Sequence, residues 1–150
     1  MAFVDMARSH VKELVREGLG LREVVEDCDG DLPFRQGTAA WFISVRSDGL
    51  RLKVWSRAVL GLRATAAVLR EVNDANLTLE VARVVVRGDA VFVEGVLPVE
   101  DCTAERLEAL CREVSQCADG LGQMLVAVHG GSTWFDDAGD DVCPECGSSD

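Results

Sequence analysis

The chain has 150 residues, 48% of them apolar, which is enough for one ordinary domain with its own core and too apolar for a disordered or coiled-coil protein. Its formal net charge is −11, but six acids and no base lie between Ser132 and Asp150, so the preceding body carries 15 basic and 20 acidic residues, a balance of −5. That excess of acid excludes general binding to nucleic acid or anionic membranes, both of which need a phosphate-neutralising basic surface.

No run approaches the roughly 20 apolar residues of a membrane helix, and the start, MAFVDMARSH, lacks the charged region, apolar run and cleavage site of an export signal. The expected location is cytoplasmic, with the six cysteines reduced.

In chain order, Val4, Ala7, Val11, Leu14 and Val15 recur at helical spacing before Gly18 and Gly20, predicting a helix over about residues 3 to 17. The polar cluster Glu26 to Asp31 reads as a turn into a short edge segment around Pro33 to Gln36. Two alternating segments then flank Asp48-Gly49, read as a two-residue type I′ turn that pairs Val45 with Leu52, Ile43 with Val54 and Phe42 with Trp55. One face carries Trp41, Ile43, Val45, Leu50, Leu52 and Val54, a core face. The other carries Phe42, Ser44, Arg46, Arg51, Lys53 and Trp55.

Ala64, Ala67, Val68, Val72 and Ala75 keep a helical period that ends at about Asn76. A second hairpin turns at about Gly88-Asp89, pairing Val86 with Val91 and Val84 with Val93 on the core side, and Val85 with Phe92 and Arg83 with Glu94 on the outer side. Thr103 can cap a last helix, whose apolar side runs from Leu107 to Val128 and which Gly130-Gly131 stop; a kink is expected at Gly120 and Gly122. The order α-β-β-β-α-β-β-α, with hairpins in place of βαβ crossovers, predicts an α+β fold, an antiparallel sheet with helices packed on one face. The domain is expected to end at residue 131, leaving 132–150 as an acidic, flexible tail.

Four stretches in this order, DCDGDLPF, LREVNDANL, VRGDAVFVEGVLP and CADGLGQMLVAVHGG, resemble the YbjN-like family, whose fold is shared with type III secretion chaperones. The resemblance covers about residues 3 to 131. It implies a non-enzymatic, often dimeric protein that binds a peptide or partner protein or acts in regulation, and it brings no catalytic residues.

Chemical motifs are few. The carboxylates of Asp27-Cys28-Asp29-Gly30-Asp31 suggest a calcium loop, but the sixth and twelfth positions, where glycine and glutamate are needed, are Leu32 and Thr38. A haloacid-dehalogenase phosphatase also opens on Asp-x-Asp-Gly, yet needs a parallel strand and a nearby lysine; this chain offers hairpins, with Lys12 on a helix and Lys53 on a strand. The cluster reads as an Asp-stabilised turn. His10 and His129 have no local nucleophile partner, and Cys111 and Cys117 read as small core residues.

Cys143 and Cys146 form half of a zinc ribbon whose other half is missing. Three readings stay open for this pair: zinc completed by a second chain or by His129 or Cys28, a redox couple, or no fixed role. No cofactor is otherwise expected.

The outer face of the sheet is the stronger candidate. Phe42, Trp55, Val85 and Phe92, framed by Arg46, Arg51, Lys53, Arg83 and Arg87, combine aromatics with arginine where a solvent-facing sheet is normally polar. The partner-binding set is Phe42, Trp55, Phe92, Arg51, Lys53 and Arg83, for a protein or peptide partner or a second copy in a homodimer; cross-strand pairing that only stabilises the hairpins is the competing reading. A regulator that senses zinc or redox state through Cys143 and Cys146 is the alternative function.

Overall fold

A computed structural model of the protein describes residues 2–135. The helical stripe of Ala7, Val11, Leu14 and Val15 is buried on helix α1, Ala2–Leu19, which Gly20 terminates in a left-handed conformation. Five strands take the expected order: β1, Leu32–Gln36; β2, Ala39–Val45; β3, Arg51–Leu60; β4, Arg83–Arg87; and β5, Ala90–Pro98. Helix α2, Ala66–Thr78, lies between β3 and β4, and α3, Ala104–His129, closes the domain. All neighbouring strands are antiparallel, in the order β1-β2-β3-β5-β4.

The pairings expected for both hairpins are present, from Val45↔Leu52 and Phe42↔Trp55 to Arg83↔Glu94 and Val86↔Val91. Gly88 has φ +61°, as its tight turn requires. The first turn differs from expectation. Only its glycine, Gly49 at φ +72°, has positive φ, and Gly49 N–H donates to the carbonyl of Arg46, so the loop is a longer one than a type I′ turn. The Asp48 carboxylate accepts the N–H of Leu50 in this loop. The register survives because both geometries centre on the same residues.

The helices cover one face of the sheet. Ile43, Leu52, Val54, Val84, Val91 and Val93 form one core with α1, with Val68 and Val72 of α2 and with Leu107, Leu110, Val114 and Leu125 of α3. Each fully buried leucine or valine there contributes roughly 1.5–3 kcal/mol by leaving water. Leu50, expected on this face, is exposed because it lies in the loop, and Val128 is exposed in the last turn of α3.

Helix α3 runs unbroken through Gly120 and Gly122, with Thr103 accepting the N–H of Arg106 as its cap. The kink is absent because Gly122 serves close packing: a Cβ there would lie 2.9 Å from the carbonyl oxygen of Ala58. Ala58 sits where the β3–β5 register shifts, so the helix rests directly on a β-bulge.

Helix α2 starts two residues later than expected, behind the cap Thr65, and ends two residues later. Asn76 does not stop it. Its side-chain amide instead pairs with both backbone groups of Val84, at 2.8 Å and 3.0 Å, covering part of the free edge of β4.

Candidate peptide-binding face

Register sorts the outer face into rows. One row crosses all five strands as Pro33, Phe42, Trp55, Glu94 and Arg83. Phe42 and Trp55 stack with ring centroids 4.6 Å apart, and the Trp55 indole N–H donates to Ser44 Oγ at 2.9 Å.

Glu94 is the centre of the β3–β5–β4 half. Its side chain is 2% exposed, and three cations surround it: Lys53 Nζ at 3.0 Å, Arg83 Nη2 at 2.9 Å and Arg87 Nη1 at 3.0 Å. The hydrogen bonds from Arg87, outweighing burial and joined by those from Lys53 and Arg83, lower its pKa to about 2. Three cations on one carboxylate leave a surplus of +2. Arg83 and Arg87 are exposed, Lys53 half-buried, and half-buried Trp55, Val85 and Phe92 lie among them with exposed Val96 beside Lys53. The Arg87 guanidinium lies 5.3 Å from the Phe92 ring centre. This half presents apolar surface and unspent positive charge side by side, the combination that suits a peptide.

The β1–β2 half is closed, which corrects the expectation that Phe42 is exposed. Phe42 is 0% exposed, in a small cluster with Ala40, Phe135, Trp55 and Trp134. The β2–β3 ladder runs only as far as Trp41↔Ser56, which leaves the last part of β3 with an open edge. Ser132 fills it, exchanging both backbone hydrogen bonds with Leu60 at 2.8 and 2.9 Å. The chain then crosses to the outer face, where Phe135 N–H donates to the carbonyl of Thr38. Arg57 lies 4.4 Å from the Trp134 ring centre and Arg35 lies 4.1 Å from that of Phe135. Packed contact therefore continues to Phe135, four residues past the expected boundary at 131. Phe42 is covered by this strap.

Of the other expected site residues, Trp55, Phe92, Lys53 and Arg83 come together around Glu94. Arg51 stands exposed at the start of β3, 3.9 Å from Asp48. Cys143 and Cys146 lie outside the described residues. Among the described residues, no three His, Cys, Asp or Glu side chains form a group able to hold a metal ion.

The acidic loop is structural, with Asp27 Oδ1 accepting the N–H groups of Asp29 and Asp31 and burial raising the Asp31 pKa. Glu113 likewise accepts the N–H groups of Glu80, Val81 and Ala82, and Asp119 accepts the N–H and the hydroxyl of Thr38. Burial pushes the Cys111 thiol up to about 12 and Cys117 up to about 11, so both remain thiols rather than nucleophiles.

A second apolar feature is a groove of about 780 Å³ between α1 and the β2–β3 loop, lined by Phe3, Met6, His10, Leu50, Pro98 and Val99. Phe3, Met6 and Leu50 are all more than half exposed.

The α+β fold defined by this order of elements is the type III secretion chaperone-like class. Similar solved structures include SycH, the type III secretion chaperone of Yersinia pestis, in complex with a stable fragment of YscM2 (17% identity, 77% of this chain and 98% of that chain, TM-score 0.57); SchA in the HopA1–SchA chaperone–effector complex (15%, 79% and 97%, TM-score 0.58); and YbjN from E. coli (13%, 79% and 90%, TM-score 0.54). No curated protein sequence matches. A family profile described as "T3SS (YopN, CesT) and YbjN peptide-binding chaperone 1", TY-Chap1, matches residues 5–137, and the chain belongs to that family.

Proposed function

We propose that the protein is a non-enzymatic, cytoplasmic, chaperone-like binder of a protein or peptide segment, and that the segment lies on the open half of the outer face. The observation that carries this is the pairing of exposed or half-exposed Val96, Trp55 and Phe92 with three cations held by a single buried carboxylate. Family membership supports the peptide as ligand, and two of the similar structures are chaperone complexes with a protein fragment or an effector. The arrangement selects a segment with apolar side chains and a net acidic charge: the apolar positions meet Trp55, Phe92 and Val96, and the carboxylates meet Arg83 and Arg87. A homodimer belongs to the same proposal, with exposed Leu69, Leu77 and Val81 of α2 and its C-terminal loop as the face two copies share.

The test is selection of peptides from a random displayed library against the full chain, and then affinity measurement with variants. Val96→Glu places an acid beside Glu94 on an exposed position and is expected to weaken the selected peptides about tenfold or more, about 1.4 kcal/mol. Met6→Glu, in the groove by α1, is expected to leave them unchanged. The reverse result would move the site to the groove.

A further inference from the structure

The charged side chains at the outward positions of the five strands are Arg35, Arg51, Lys53, Arg57, Arg83 and Arg87, against one acid, Glu94. Three of these cations are engaged elsewhere: Arg35 lies over Phe135, Arg57 lies over Trp134, and Arg51 stands beside Asp48. The other three converge on Glu94, whose carboxylate offers about four lone-pair sites. All of those sites are filled. Oε1 accepts from Nη2 of Arg83 and Nη2 of Arg87, and Oε2 accepts from Nη1 of Arg87 and Nζ of Lys53.

Two arginines and one lysine carry about thirteen N–H donors between them, so most have no place left on Glu94. Among the described residues, Arg83 bonds the carboxylate through Nη2 alone, which leaves its Nε and Nη1 edge open on a side chain that is 65% exposed. Glu94, buried at the centre, fixes where the cations stand, so the donors are oriented before any ligand arrives. An anion that docks here meets those donors and the surplus of +2. A carboxylate would cancel half of that surplus; a phosphoryl group, with about −1.5 to −2 charges near pH 7 and three acceptor oxygens, matches nearly all of it. Phe92 beneath Arg87 and exposed Val96 beside Lys53 offer apolar surface to the residues on either side of such a group.

The geometry points to a phosphoryl-binding site made by Lys53, Arg83 and Arg87 around Glu94, and to a phosphorylated side chain of the bound segment as the group it takes. A polyanion fits less well, because the body of the chain carries an excess of acid and these cations meet at one point instead of following a track. That the group arrives on a peptide rests on the proposed function; the anion site itself does not.

The test titrates the full chain, labelled with nitrogen-15 in arginine, with inorganic phosphate and separately with acetate, at constant ionic strength and about pH 7.5, where phosphate is mainly the dianion. Saturable shifts of the Arg83 and Arg87 side-chain Nε–Hε resonances are expected with phosphate, with acetate binding about tenfold more weakly. The resonance of exposed Arg63, in the loop before α2, should not move. Arg83→Gln leaves Glu94 held by Arg87 and Lys53 and should weaken phosphate binding, read at Arg87, several-fold. Shifts that fail to saturate, that acetate reproduces or that Arg63 shares overturn the site.

A second arm presents the full chain with two peptide libraries that differ only in phosphoserine or serine at one fixed position. Enrichment of about tenfold in favour of phosphoserine is expected. Peptides retained without that preference overturn this inference and leave the peptide reading standing. Phosphate held at Arg83 and Arg87 with neither library retained upholds the anion site and counts against the peptide reading. Tighter binding of a single-stranded oligonucleotide, or of vesicles containing a phosphoinositide, would overturn the choice of a phosphorylated peptide.

Discussion

The two halves of the outer sheet face end in opposite states. On β2 the face is closed: Ala40 and Phe42 are buried, Phe42 wholly, in a cluster with Trp134 and Phe135. On β5 and β4 it is open, with Glu94 buried among its own cations and Arg83 and Arg87 exposed. The strands already differ, since β2 is apolar on both faces from Ala39 to Ile43 whereas β4 begins and ends in Arg83 and Arg87. The difference is completed where a distant segment, Ser132 to Phe135, finds an unpaired stretch of β3 and folds over one half alone. Exposure of an outward strand residue is a tertiary property, decided by what else the chain lays on it.

The largest effect should come from breaking the closed half. Phe42→Ala removes a fully buried ring stacked on Trp55 and is expected to cost about 3–5 kcal/mol in urea unfolding. Phe42 is thus a stability residue, and its substitution is no clean probe of binding.

Breaking the open half through its centre should cost less. Glu94→Gln leaves Lys53, Arg83 and Arg87 without their carboxylate, and a loss of about 1–3 kcal/mol is expected near neutral pH. The folded pKa of Glu94, about 2, lies below its ordinary 4.5, so its contribution is fully present above about pH 4.5 and is lost as pH falls towards 2. Wild-type and Glu94→Gln stabilities should therefore converge in that window; a gap that persists to pH 2 would show that Glu94 contributes by packing instead of charge.

Phe135→Ala opens the closed half without altering a strand residue. A loss of about 1–2 kcal/mol is expected, together with increased solvent quenching of Trp134 and Trp55 fluorescence. The smallest effect on stability, within about 0.5 kcal/mol, is expected for Val96→Glu, whose consequence is for binding alone.

Much of this was legible in the sequence. Alternation about Gly49 and Gly88 set strand register correctly, since a one-residue slip would have moved Ile43, Val54, Val84 and Val93 out of the core. Arg83 and Glu94 were paired by the same counting. Two things were not legible. The burial of Glu94 requires Lys53 from β3 and Arg87 from the far end of β4, and the β3–β5 pairing that brings Lys53 in is non-local. Trp134 and Phe135 stand past Gly130-Gly131 with no periodicity around them, so pattern alone assigned them to the tail. The one signal they left was two adjacent aromatics heading an otherwise acidic segment, a composition that a fully solvated tail has no use for. Gly122 misled similarly: a glycine inside a helix reads as weakness until the strand that it touches is known.

Binding of a peptide to the open half of the outer face can be read from methyl resonances of the full chain during titration with a library-selected peptide. Saturable shifts of the Val85 and Val96 methyl groups, with those of Met6 and Leu50 unmoved, are the predicted result. Shifts confined to Met6 and Leu50 would contradict it and put the peptide in the groove beside α1.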